Sequence, residues 1–334
     1  MKKFLNSPET ILTQSLDGFV HAHRDIVALG EERKFVRRAQ LQMGKVALVS
    51  GGGSGHEPLH AGLVGTGMLD AACPGQVFTS PTPDQMLAAA QAVNTGAGVL
   101  FIVKNYEGDV MNFAMAAEML GAAQMLGEGC ATIVTDDDVA VEKSTYSTGR
   151  RGVAGTLVVE KIVGAAAERG SAVGELKALG ERVNAATRSM GVALTSCTVP
   201  AVGRPTFDIG ESEMEMGVGI HGEPGRRRVP LAKADAIAEE MVGAIVGDLS
   251  PRAGQPVLLF VNGFGGTPAM ELYLIYDAAR RELDKRNLPI VRSLVGSYVT
   301  SLEMAGCSIT VCALDQPMLA LWDAPVRTAA LSWG

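Results

Sequence analysis

Fully apolar runs of strand length that end in polar or glycine-rich turns restrict the fold of this chain more than any other feature. Residues 98–103 (GVLFIV) hold no polar side chain that could face water. Such a run needs cover on both faces, which strands of a parallel sheet packed between helices have. Residues 45–50 read as a second strand emptying into Gly51, Gly52 and Gly53, and residues 130–135 read as a third. Further strand-like runs fall at 191–197, 214–220, 257–261, 290–295 and 308–312. Helical periods lie between them: after Asp109 through Leu126, over 155–168 and on to about residue 187, and near 233–247 and 268–283. The alternation predicts an α/β fold of two domains, 1–187 and 188–334, each on a mainly parallel or mixed sheet with flanking helices.

At 334 residues and 47% hydrophobic, with only 19% charged, the chain can bury a substantial core. Glycine numbers 40 of 334 and clusters after the apolar runs, as tight strand-to-helix turns require. A net charge of -7 leaves no broad basic face to neutralise phosphates, which argues against nucleic-acid binding. Without a signal-like N-terminus or a run of roughly 18 apolar residues, the chain is expected to be cytoplasmic and not membrane-bound. Five cysteines stand in apolar contexts with no C-x-x-C pair, so buried thiols are expected rather than disulfides or a zinc site.

Ligands of open α/β sheets collect beyond the carboxyl ends of strands, and residues 51–56 and 104–109 both lie at such ends. These two loops are therefore expected to be neighbours. Glycines there leave backbone N–H groups free to meet a hydroxyl or phosphate, and a following helix N-terminus favours an anion. The loop lacks the Gly-Lys-Ser/Thr ending of a P-loop, and residues 62–67 miss the Rossmann order, so no nucleotide site is supported. His56 and Asp109 could together take a proton from a substrate hydroxyl; a helix cap or a hydrogen-bonded loop residue accounts for either one alone. Lys104 could hold a substrate oxygen, or reach solvent as a surface lysine. His221, read as the end of a strand and followed by Gly222, could add to a ketone as a hemiaminal, or be a structural histidine. Asp136, Asp137 and Asp138 read as a solvated loop with a helix cap in preference to a cation site. Arg150, Arg151 and Arg226 to Arg228 read as solvated surface, and the methionines from Met111 to Met125 as core packing. His21, His23 and His60 read as structural, with His60 nearest the loops.

Several segments together resemble the dihydroxyacetone kinase family, specifically its dihydroxyacetone-binding subunit. They are residues 51–60 (GGGSGHEPLH), 103–113 (VKNYEGDVMNF), 149–156 (GRRGVAGT), 219–225 (GIHGEPG) and 262–268 (NGFGGTP), and the resemblance continues through 295–304 (VGSYVTSLEM) to 323–325 (DAP). It implies that Gly53, Ser54, Gly55 and His56 form the substrate loop, that Lys104 and Asp109 complete the pocket, and that His221 is the covalent hemiaminal histidine. His56 and Asp109 then act as the acid/base pair on the terminal hydroxyl.

The family has single-chain members with an added nucleotide-binding domain and a split form. This length leaves no room for that domain, so the resemblance implies the split form. A separate nucleotide-binding kinase subunit would then carry ADP or ATP and magnesium, supplied indirectly by a phosphotransferase-system phosphoryl donor protein. This chain itself would bind no cofactor or metal, and would form a homodimer. Cys73 and Glu107 depart from the family pattern, and Glu107 adds charge beside the pocket. Two rival readings share the same residues: a ketone-sensing coactivator without turnover, and a kinase subunit for another short ketose such as erythrulose.

Overall fold

The computed structural model describes residues 2–122, 129–140, 149–222 and 225–334. Its first sheet is built from β1 (Val27–Leu29), β2 (Val36–Arg38), β3 (Ala47–Ser54), β5 (Ala71–Val77), β6 (Val99–Lys104) and β7 (Cys130–Thr135), with a short β4 (Gly65–Thr66) set aside from it. The order is β1-β2-β5-β3-β6-β7. The four strands from β5 to β7 run parallel, and β1 and β2 add an antiparallel edge. The apolar run of β6 lies between β3 and β7, entirely buried.

The second sheet contains β8 (Thr187–Ala193), β9 (Glu213–Met216), β10 (Arg227–Pro230), β11 (Val257–Gly263), β12 (Ile290–Gly296) and β13 (Gly306–Ala313), in the order β10-β9-β8-β13-β11-β12. Only the β11–β12 pair in it is parallel. The fold is thus α/β on two mixed sheets. Strands β14 (Val326–Thr328) and β15 (Ser332–Trp333) leave the second sheet behind and join β4 in a small third sheet.

The described helices are α1 (Ile11–Ala22), α2 (Pro83–Val93), α3 (Glu107–Ala122), α4 (Gly155–Glu168), α5 (Val173–Ala185), α6 (Ala234–Leu249), α7 (Ala269–Lys285) and α8 (Gln316–Trp322). Helix α4 is apolar around nearly its whole circumference, and a helix of that kind must be buried on all sides. Gly155 to Ala167 are all buried, against strands of both sheets, and one hydrophobic core runs continuously through the two halves. Two charged residues, Glu160 and Lys161, nevertheless sit in α4. Lys161 donates to the Leu321 carbonyl at 2.9 Å, and burial depresses its pKa to about 8.

Several expectations are corrected. The glycines at 51–53 are strand residues of β3, because neighbouring backbone comes too close for a side chain: a Cβ on Gly51 would lie 2.6 Å from the Cys73 carbonyl oxygen. The run expected at 191–197 is shifted to β8, and that at 214–220 ends at Met216, so His221 lies in a loop rather than at a strand end. Met111, Met115 and Met119 are exposed on α3 instead of packing in the core, which uses the opposite face through Phe113, Ala116 and Leu120; Met125 lies outside the described residues, as does Leu126. Arg151 is buried rather than solvated, with its Nε 2.9 Å from Asp138 Oδ2 and its Nη2 2.7 Å from the Gly217 carbonyl. Asp137 and Asp138 are buried too, and Asp137 caps α4 by accepting from the N–H groups of Val153 and Gly155 at 2.9 and 2.7 Å. Burial pushes its pKa up to about 6.

Candidate active site

Strands β3 and β6 are adjacent and parallel, so the segments leaving their carboxyl ends meet, as expected. After β6 the chain turns directly into α3, whose first turn carries Glu107 and Asp109. The helix N-terminus therefore belongs to this second loop; β3 is followed only by a short 3-10 turn at Ala61–Leu63. A cavity of about 610 Å³ opens here, lined by Gly53, Phe78, Tyr106, Asp109, Thr206 and His221 among others. That volume is in the range of small-molecule pockets.

His56 stands beside the cavity, buried, and is held from the other half of the molecule. Asn262, at the end of β11, accepts from the N–H groups of Tyr298 and Val299 at 2.9 and 2.8 Å and donates to the Val299 carbonyl at 2.7 Å. The segment so fixed presents the Thr300 carbonyl 2.7 Å from His56 Nδ1. A carbonyl only accepts, so Nδ1 carries the proton and Nε2 the lone pair. That Nε2 is buried with no hydrogen-bond partner among the described residues. Burial, with the charges of His221 and Lys104, lowers the proton affinity of His56 well below that of an ordinary imidazole. It is therefore a neutral ring with an available lone pair, the form a general base needs.

His221 reaches the same place from the loop after β9. Its ring stands edge-on to Tyr106, His56 and Phe78, with centroids 4.5, 4.6 and 5.4 Å away, and Phe78 in turn stacks on His56 at 5.0 Å. Three rings so placed hold the imidazole in one orientation while it still lines the cavity.

Lys104 ends β6 fully buried rather than at the surface. Its Nζ passes under Gly52, whose missing Cβ makes the room. It lies 2.9 Å from His60 Nε2, 3.3 Å from the Gly51 carbonyl and 3.6 Å from Asp109 Oδ2. Lys104 thus faces Asp109 from below and does not line the cavity. Asp109 is buried, and its Oδ1 has no partner among the described residues.

The structure therefore brings Gly53, His56, Asp109 and His221 together and sets Lys104 behind them. Two other loop residues are engaged elsewhere: Ser54 Oγ donates to the Gly75 carbonyl at 2.7 Å, and the Gly55 N–H donates to the Glu57 carboxylate at 2.9 Å. Sequence reasoning misses Phe78, Tyr106, Thr206 and Thr300, and undervalues His60. Tyr106, inside the 104–109 loop, was within reach of it; Phe78, Thr206 and Thr300 join the site only through the fold. Among the described residues no cluster of three or more His, Cys, Asp or Glu side chains has metal-binding geometry.

Two mixed sheets sharing a core, with two imidazoles and a carboxylate at one cavity and a buried ammonium behind them, define a protein equipped to hold a small polar molecule and exchange protons with it. Residues 17–330 match the Dak1 domain, and the chain belongs to that family. It is 50% identical over 331 residues to the "PTS-dependent dihydroxyacetone kinase 1, dihydroxyacetone-binding subunit DhaK" of Listeria innocua, covering 99% of this chain and 100% of that one. To the "PEP-dependent dihydroxyacetone kinase, dihydroxyacetone-binding subunit DhaK" of Escherichia coli it is 45% identical, with both chains covered in full. A solved structure of the "Dihydroxyacetone kinase operon co-activator Dha-DhaQ" superposes with a TM-score of 0.89 at 33% identity, over 95% of this chain and 97% of that one.

Proposed function

We propose that this chain is the substrate-binding catalytic subunit of a dihydroxyacetone kinase that works with a separate phosphoryl-donating subunit. One observation carries the reading: the buried lone pair of His56 Nε2, without a protein partner among the described residues, stands beside the imidazole of His221 at the wall of the cavity. A nitrogen of His221 adds to the carbonyl carbon of dihydroxyacetone, and its N–H proton ends on the former carbonyl oxygen, so the hemiaminal forms with no loss of atoms. The tethered triose then offers a terminal hydroxyl to His56 and Asp109. As that oxygen attacks the phosphorus of the donor, its proton passes to this pair and the donor's leaving group departs with the partner. Glycerol has no carbonyl to capture, so the tether selects ketone over alcohol.

Magnesium and the nucleotide belong to the partner in this reading, and a phosphotransferase-system protein recharges it. The exposed Met111, Met115 and Met119 continue along the helix that supplies Asp109, where a partner delivering a phosphoryl group approaches. A second copy of the chain fits the edge strand β12 and the exposed Met270, Tyr273 and Leu274 of α7 beside it. All five cysteines are free, which suits the reducing cytoplasm.

The likeness to a co-activator favours a second reading, ketone sensing without turnover. Mixing the chain with a nucleotide-loaded donor subunit separates the two. Phosphorylation of dihydroxyacetone that falls about 100-fold or more in His56→Asn, with ketone capture intact by mass spectrometry, supports the kinase. Capture without product from any donor supports the sensor. Faster turnover of erythrulose than of dihydroxyacetone would move the substrate to the larger ketose, and loss of capture in His221→Ala identifies the tether.

A further inference from the structure

Beneath the cavity floor lie two buried ionisable groups that the chemistry above leaves unused, His60 and Glu160. Ser50 Oγ donates its one proton to the Ile102 carbonyl at 2.6 Å, so toward His60 Nδ1, 3.1 Å away, it can only accept. Glu160 Oε1 lies 2.6 Å from the same Nδ1. Both neighbours accept from Nδ1, which therefore carries the hydrogen, and Nε2 bears the lone pair. The Lys104 ammonium, which only donates, lies 2.9 Å from that lone pair. A proton on Glu160 leaves this arrangement intact provided it sits on Oε2, which has no partner among the described residues. The Nδ1 hydrogen and the ammonium thus each meet an acceptor along one line from α4 to α3.

We propose that His60 and Glu160 are positioning residues for the Lys104–Asp109 pair, holding the ammonium through a single imidazole tautomer so that its charge stands opposite Asp109. The role rests on Asp109 taking part in proton removal. Lys104 sits at the end of a strand with Gly52 directly above it, and its remaining contacts are a longer one to the Gly51 carbonyl at 3.3 Å and the 3.6 Å ion pair. Without His60 Nε2, the ammonium loses its shortest contact and is free to swing away from Asp109. Burial and the charge of Lys104 keep His60 neutral, as an acceptor of that hydrogen bond must be. The same geometry explains why α4, apolar over most of its circumference, carries a carboxylate at the point facing β3.

The test compares wild type with His60→Leu and His60→Gln, the second offering a carbonyl oxygen to Lys104. In turnover with a nucleotide-loaded donor subunit, His60→Leu is expected to lower kcat about tenfold or more with KM for dihydroxyacetone changed less than about twofold, and His60→Gln to recover most of the loss. Ketone capture at His221, followed by mass spectrometry without any donor, stays at the wild-type level in both. A folded His60→Leu protein with wild-type kcat overturns the proposal. So does parallel loss of capture and turnover, which marks the network as support for the fold alone. Independently of activity, 15N spectra of histidine-labelled protein are expected to show His60 protonated at Nδ1 and bare at Nε2. The opposite tautomer refutes the proposal even if the chain proves to be a sensor.

Discussion

Gly53→Ala tests whether the bare strand end of β3 sets the geometry of the site. A Cβ built there lies 2.6 Å from the Thr79 nitrogen, 2.7 Å from Phe78 Cα and 2.8 Å from the Phe78 carbonyl carbon. Ordinary contact begins near 3.4 Å, so backbone must retreat by roughly 0.7 Å. Those are main-chain atoms and cannot rotate aside. The residue that moves carries the ring stacked on His56 at 5.0 Å and edge-on to His221 at 5.4 Å. Overpacking of this kind costs about 1–3 kcal/mol, which for a chain of this size lowers Tm by about 1–4 °C. The functional loss is expected to be larger: a displacement approaching 1 Å at the reacting groups lowers kcat/KM by about 10–100-fold. The assay pairs thermal denaturation with steady-state turnover of dihydroxyacetone in the presence of the donor subunit. An alanine variant with wild-type turnover would show that the Phe78 wall does not position the imidazoles.

Three further outcomes are expected. Arg151→Ala breaks the buried ion pair with Asp138 and should destabilise the protein by about 3–5 kcal/mol in urea denaturation; a change under 1 kcal/mol, roughly the worth of a surface pair, contradicts that burial. Met115→Glu places a charge in the exposed stripe of α3 and should raise the donor-subunit concentration needed for half-maximal rate without altering ketone capture; unchanged dependence on the donor rejects α3 as its landing surface. Burial raises the pKa of Glu160 from 4.5 to about 8, so the native state binds more protons than the unfolded chain between those values, and wild-type stability from this group falls as pH climbs through them. Glu160→Gln lacks that dependence, and its stability relative to wild type should rise by about 3–5 kcal/mol from pH 4.5 to a plateau above about 8; a difference that does not vary with pH counts against it.

The parts of the fold legible beforehand are those whose signal is local. Residues 98–103 and 130–135 read as strands because six consecutive residues avoid charge, and α4, α6 and α7 read from their period. Strand β5, with a proline and a glycine inside it, carries no such signal and takes its conformation from pairing with β3. The methionine spacing on α3 reads equally as core or as exposed stripe, since periodicity identifies a face without saying what covers it. Arg151 looks solvated until its partner, 13 residues away in the sequence, appears against it in the buried interior.

The amino-acid order by itself determined the α/β class, the placing of His56 just beyond a strand and, through its motifs, the family. Those follow from hydrophobic period, glycine and short-range geometry. Tertiary structure alone decided which tautomer His56 holds, because the carbonyl that sets it belongs to Thr300 at the far end of the chain. It also brought His221 against Tyr106 and Phe78, and set His60 between Lys104 and Glu160. Hydrogen-bond direction and ring contact depend on atoms a few ångströms apart in space, and for groups separated by 44 to 244 positions only the packing of the two sheets around α4 supplies that proximity.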